Sequence, residues 1–490
     1  MAGRVLSDSK PSELPPRVLQ VSQGNVRLVE SNGLTGKYVA LSYCWGSPVK
    51  PPLKTLKSNL QSYQQEIPWH KIPSTFQDTI TVARRLDIPY VWIDSLCIVQ
   101  DDQQDWLSQS KLMGSIYEHA HLTVAASHAE DAWVGFLSTK QAQLQSIELP
   151  GFFVSVSSPD DKETPRVFAS VRTEQAGDVF PEFGVLNKRA WATQEWLLSR
   201  RIVFYTAGQL LWSCKRITQR ETGERCFSIS RNTHWKSVVE QYSDRTLTYP
   251  TDKLIALEGL RIESQGKYGY EYLHGMWKDC MPDHLIWQVT RKIQNPTAND
   301  ALQLPTWSWA HVSCGVRFLP IRGAKNLCSD ISFSDDGTEM SIRSMVKMAT
   351  VLSIGNVADL TGPGADSIAT DVQSTNSQLT ETMAKYIKDG QGNAIGWIIF
   401  DEWNATIPSH EVYCLALMGG ASKRQEEKER RTGIATVSKL RHYWILALRK
   451  ASSSSSSSTK ETVFERTGVG KVYGREFWEN AAMKTVVALT

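Results

Sequence analysis

The sequence predicts an α/β protein: a parallel-sheet unit first, then a helical segment, then a mostly antiparallel β region. Three observations carry this. Three apolar, strand-like runs, at 38–46, 90–102 and 121–131, each end in a knot of polar residues. Amphipathic helical patterns lie between them, and parallel neighbours need such crossovers. Beyond residue 300, short β-type runs recur at the spacing of an antiparallel sheet or sandwich.

Taken in order, residues 1–25 read as an N-terminal extension, and 26–215 as the parallel unit. Between its first two strands, Ser74, Thr75, Phe76 and Gln77 suggest a capping box. Phe76, Ile80 and Ala83 follow at helical spacing, with Val82 and Leu86 flanking that face, and Pro89 closes the helix. After the second strand, the acids from Asp101 to Asp105 suit a helix N-terminus. Trp106, Met113, Ile116, Tyr117 and Ala120 then form one apolar face. Residues 189–198 suggest a short helix, and 201–205 with 209–214 a hairpin.

The segment 216–300 reads as helical. Trp235, Val238, Val239 and Tyr242 define one face, and Leu273, Trp277, Leu285 and Trp287 belong to a later element. Strands are expected at 330–333, 339–343, 346–354, 396–400, 411–417, 443–448 and 484–489 within a β-rich region 301–490. A charged insert at 421–434 and a serine-rich loop at 451–460 interrupt it.

Composition narrows the function classes. The 490 residues carry a net charge of +3, too weak to argue for nucleic acid. The eight cysteines form no C-x-x-C pair, and the first residues lack an apolar signal core, so free thiols and a cytoplasmic location are expected. No run approaches the roughly 18 apolar residues of a membrane span.

The polar knots also carry a resemblance. LSYCWG, VWIDSLCIVQDD, MGSIYEHAHLTVAAS, RAWATQEWLLSRRIVFY and LLWSC follow one another in the order of the fungal HET (heterokaryon incompatibility) domain, over about residues 37–214. YSDRTLTYPTDKLIALEGL and PTWSWAHV extend the likeness more loosely. The resemblance implies a fungal protein of non-self recognition and programmed cell death, with an unknown incompatibility partner or self-association. HET domains are also similar in fold to TIR domains, which implies a TIR-like or flavodoxin-like sheet and NAD as a substrate. That step rests on fold likeness alone.

Ligands on parallel sheets bind beyond the carboxyl ends of the strands, where these knots sit. Asp94 ends the second strand, as a working carboxylate or as a cap for the next turn. Ser42, Tyr43, Cys44, Trp45 and Gly46 end the first. Cys44 is a nucleophile only as a thiolate beside a base, and otherwise a small apolar filler. Gln100, Asp101 and Ser127 complete the expected ligand-binding rim. His119, His121 and His128 lack the spacing of a zinc pattern, so no metal is expected. Glu130 is a catalytic candidate by TIR analogy, although its spacing departs from the TIR motif. Gln194 and Glu195 either close over the crevice or form a surface ion pair with Arg189 or Arg200. For NAD cleavage, Asp94 or Glu195 would stabilise the cationic sugar left by nicotinamide. The alternatives are a non-catalytic, self-associating signalling module and a HET-like enzyme recruited to a small-molecule biosynthetic pathway.

Overall fold

A computed structural model of the chain describes residues 12–22, 24–137, 180–225, 233–291, 303–321, 323–352, 384–401, 411–420, 442–451, 463–474, 476–478 and 482–490, with 146–148, 168–170 and 368. It divides into two compact units, Met1–Asn232 with Ala256–Leu260, and Thr233–Ile255 with Arg261–Thr490. The expected charged insert and serine run lie outside the described residues.

The first unit is built on an eight-stranded mixed sheet. Its strands are β1 (Arg17–Gln20), β2 (Arg27–Glu30), β3 (Tyr38–Ser42), β4 (Tyr90–Trp92), β5 (Leu122–Ala125), β6 (Arg201–Tyr205), β7 (Leu210–Cys214) and β8 (Thr218–Arg220). The order across the sheet is β8-β7-β6-β5-β3-β4-β1-β2. β6, β5, β3 and β4 run parallel. The strands outside them pair antiparallel. The expected parallel trio is therefore present, but within a mixed sheet. The expected hairpin forms as β6–β7, and β6 adds a fourth parallel strand. β1 also falls within the stretch read as an extension. Every residue of β3 and β5 is buried, as parallel strands covered on both faces require.

The two longest helices of the crossovers are α1 (Ser74–Arg85) and α2 (Gln103–His119), beside the short helices Leu60–Gln65 and Asp94–Cys97. α1 buries Phe76, Ile80 and Ala83, the expected face. The capping box does not form. Pro73 is the N-cap, and the Gln77 amide turns back to the carbonyls of Trp69 and Ile72. α2 is capped by Asp102, whose carboxylate accepts from Gln104 N and Asp105 N at 3.0 and 3.2 Å. Such a cap contributes about 1 kcal/mol. Gly114 of α2 meets Gly259 so closely that a Cβ at 114 would stand 2.6 Å from the Gly259 Cα. A further helix, α3 (Ala192–Leu198), buries all seven of its residues.

In the second unit, the helix Trp235–Ser243 buries Trp235, Val238, Val239 and Tyr242 as expected. The later element is not helical. Tyr272–Leu273 pairs with Met276–Trp277, and Trp287–Val289 pairs with Val316–Phe318. Its alternation of large apolar groups is satisfied by short strands joined by 3-10 turns. The C-terminal strands form one nine-stranded, mostly antiparallel sheet. Met340–Val351 pairs with both Ala384–Lys388 and Glu411–Gly420, so the strand order closes on itself. The strands expected at 339–343 and 346–354 form one strand, Met340–Val351, whose pairing with Ala482–Leu489 shifts register between Ser344 and Val346. Ile387, Ile398, Cys414, Ile445, Ala447 and Val472 form part of the buried cluster of that sheet. The sheet includes one parallel pair, between Val463–Tyr473 and Ala482–Leu489.

Candidate active site at the strand ends

The carboxyl ends of β3, β4 and β5 lie side by side, since Ser42 is in register with Ala125 and Ala40 with Trp92. Three contacts then draw the polar knots together. The Trp45 indole donates to Asp94 Oδ2 at 2.8 Å. The Tyr43 hydroxyl donates to Ser95 Oγ at 2.9 Å. Gly46, at φ +87°, sits so near Asp131 that an added Cβ would stand 2.5 Å from the Asp131 Cβ. Only glycine meets both demands without strain. The three expected segments therefore meet at one rim.

A fourth segment joins them that β6 makes possible. α3 precedes β6 and is wholly buried, which brings Glu195 beneath the rim at 2% exposure. Ser42 Oγ donates to the Glu195 carboxylate. Arg189 donates to the Tyr43 carbonyl. Its positive charge is influenced by both Glu195 and Asp94, which hold it protonated against the opposing effect of burial. Of the two alternatives for Glu195, the surface ion pair gives way to a buried cluster. Arg200 instead reaches Glu118, at 3.5 Å.

Asp94 is 9% exposed and hydrogen-bonded by the Ser95 amide at 2.6 Å. Burial raises its pKa, opposed by the Arg189 charge and by hydrogen bonds from Trp45 and Tyr43. Burial raises the Tyr43 phenol and the Cys44 thiol as well. Cys44 packs among Ala125, Leu186, Trp196 and Phe204, surroundings that favour the protonated filler over a thiolate.

The remaining candidates fall into two groups. Ser42 and Ser127 line a small cavity with Asn187 and Trp196, of about 10 Å³, room for roughly one water. Gln100 donates to the Asp94 and Ile98 carbonyls, each at 3.1 Å, and so holds the turn that presents Asp94. Asp101 accepts from the Lys57 amide at 2.8 Å and faces solvent. Glu130 is exposed. Gln194 is buried away from this cavity, near Gly259, with both amide atoms unpartnered among the described residues.

A wider cleft of about 680 Å³ opens where β3 begins, between residues 12–17, 30–33 and the α2 face bearing Ser115 and His119. Along it, Ser12 Oγ donates to the His119 carbonyl at 3.0 Å, and Arg17 pairs with Asp105. The chemistry-bearing groups converge at the rim instead. Among the described residues no cluster of three His, Cys, Asp or Glu side chains is arranged to hold a metal, and the seven described cysteines are free thiols. No helix among them is long and apolar enough to cross a membrane.

Arg189 was missed as a site residue. Its signal was the RAW that opens the segment 189–198, but its proximity to Asp94 depends on the path of β6.

Residues 38–195 match the family described as Heterokaryon incompatibility protein (HET). A stretch of 94 residues is 32% identical to Heterokaryon incompatibility protein 6, OR allele, of Neurospora crassa. It covers 18% of this chain and 14% of that relative, so the chain matches only a small part of the relative's length. No solved structure matches, and the flavodoxin-like and TIR-like expectation gains no support from that comparison. Every residue of the cluster Ser42, Asp94, Arg189 and Glu195 lies within the matched segment, and the two sequence matches together support a heterokaryon incompatibility domain there.

Proposed function

We propose that this protein acts in fungal incompatibility, in non-self recognition and the cell death that follows, by cleaving NAD at the strand-end rim. The observation that carries this reading is the Glu195 carboxylate, buried beside Ser42 at the end of a parallel strand and balanced by Arg189. The glycosidic bond breaks with its electron pair passing to the nicotinamide nitrogen. The ribose carbon is left cationic, and a fixed carboxylate stabilises it. Water adds to that carbon, and its proton passes to Glu195. Ser42 orients the carboxylate, and Arg189 sets a positive charge near it. Asp94 orients Trp45, whose ring offers a stacking face.

The test is nicotinamide release from NAD by the purified full chain, with toxicity on expression followed in parallel. Glu195→Ala is expected to lower release by at least about 100-fold, the scale of losing one transition-state electrostatic partner, while the thermal transition persists. No release by the unmodified protein at high concentration rejects the reading.

The second reading is a self-associating module without catalysis. It is favoured by the mutual satisfaction of Ser42 with Glu195, Trp45 with Asp94 and Tyr43 with Ser95, and by the small cavity. It requires that toxicity survive both Asp94→Ala and Glu195→Ala, and that the protein form concentration-dependent oligomers.

A further inference from the structure

After β3, residues 47–57 form a strap along the rim. Its far end is fixed at Thr55, which is fully buried. Thr55 N donates to Ser95 O at 2.9 Å, Thr55 Oγ1 to Leu96 O at 2.6 Å, and Gln100 N to Thr55 O at 2.9 Å. Its near end leaves Gly46 and meets the Asp131–Trp133 turn, where Trp133 Nε1 donates to Pro51 O at 3.1 Å.

The strap carries three lysines in different situations. Lys57 pairs with Asp102 at 3.0 Å. Lys50 stands 3.9 Å from Asp131 and 5.7 Å from the centre of the Trp133 ring. Lys54 is half-buried and forms no ion pair among the described residues. Its ammonium rests over the Trp45 ring, 4.8 Å from the centroid. Trp45 in turn donates to Asp94. A half-buried cation with only an aromatic face for company is held less firmly than one paired with a carboxylate. It is available to an anion arriving at the rim, and its departure frees the ring it covers.

We propose that Lys54 and Trp45 form the phosphate-and-ring subsite of the rim, taking a ligand that joins phosphate groups to a planar base, as adenine nucleotides do. The phosphate draws the Lys54 ammonium off Trp45, and the base takes its place on the ring. Lys50 lies outside this exchange, held by Asp131. This assignment rests on the reading of the rim as a nucleotide site, and it adds the residues that recognise the ligand.

Calorimetric titration of the full chain with ADP-ribose and with nicotinamide riboside, which lacks phosphate, tests it. ADP-ribose is expected to bind at least about ten-fold more tightly than the riboside, a factor equal to roughly 1.4 kcal/mol, and to weaken with rising salt. Lys54→Met is expected to remove that advantage, Lys54→Arg to restore most of it, and Lys57→Met to leave it intact, with thermal melts showing all three folded. Equal affinity of Lys54→Met and the unmodified protein for ADP-ribose overturns the subsite, as does a failure of the unmodified protein to bind ADP-ribose. If nicotinamide release persists beside either result, the proposed function stands without this subsite. If Lys54-dependent binding is found with no release, the subsite stands and NAD cleavage falls.

Discussion

Two arginines, one in each unit, carry out opposite tasks. Arg466 is sealed. Its Nε donates to Asp401 Oδ2 at 2.7 Å, its other nitrogens reach Asp401 Oδ1 and the carbonyls of Leu285 and Trp287, and its guanidinium lies 3.3 Å from the centre of the Trp287 ring. Arg189 is half-buried, spends one donor on the Tyr43 carbonyl, and is balanced by two carboxylates from separate segments. The first is a fork whose geometry is fully used, which is how a buried charge is tolerated. The second keeps charge beside a strand-end cavity, the arrangement on which the proposed function draws. The same residue type therefore staples one unit and sets the potential of the rim in the other.

The largest expected effect breaks the staple. Arg466→Ala leaves Asp401 buried and unpaired, and should cost about 3–5 kcal/mol in denaturant unfolding. A cost below about 1 kcal/mol would remove the contrast. Arg189→Ala should cost less, about 1–2 kcal/mol, because Glu195 keeps its hydrogen bond from Ser42, and Asp94 those from Trp45 and the Ser95 amide, but should eliminate nicotinamide release, because the rim loses the positive charge beside its two carboxylates. Equal stability losses at the two arginines would show that both are staples.

Two pH profiles sharpen the comparison. Lys253, in the same unit as Arg466, is buried with its ammonium donating to the Val312 carbonyl, and burial lowers its pKa to about 8 from 10.5. Between these values the unfolded chain binds more protons than the native one, so stability should rise as pH goes from about 8 to 10.5. Lys253→Met should flatten that rise in urea midpoints. Asp94 has the opposite sign. Its folded pKa is raised, so the native state keeps its proton longer than the unfolded chain. Stability relative to Asp94→Asn should fall as pH climbs above the ordinary carboxylate range through the raised value. This is the smallest effect, since Arg189, Trp45 and Tyr43 oppose the shift. No difference between the two proteins across that range would place Asp94 outside the electrostatic cluster.

Much of the first unit was legible because its signals are local. Phe76, Ile80 and Ala83 repeat at the helical period, and burial follows from that repeat. The runs at Tyr38, Tyr90 and Leu122 are continuously apolar, which suits strands covered on both faces. The capping box was misread because Pro73 already supplies the start of α1, and the Gln77 side chain finds nearer carbonyls. The element holding Leu273, Trp277, Leu285 and Trp287 was misread because short strands joined by 3-10 turns bury large apolar groups as well as a helix does.

The sequence by itself determined the parallel strands, the faces of the two longest crossover helices and the polar strand ends, since each depends on neighbours a few positions apart. Only the tertiary structure decided that β6 lies beside β5, that Glu195 reaches Ser42 across 153 positions, and that the C-terminal strands close on themselves. Those pairings are set by which surfaces bury each other once the chain has folded, and no local period encodes that choice.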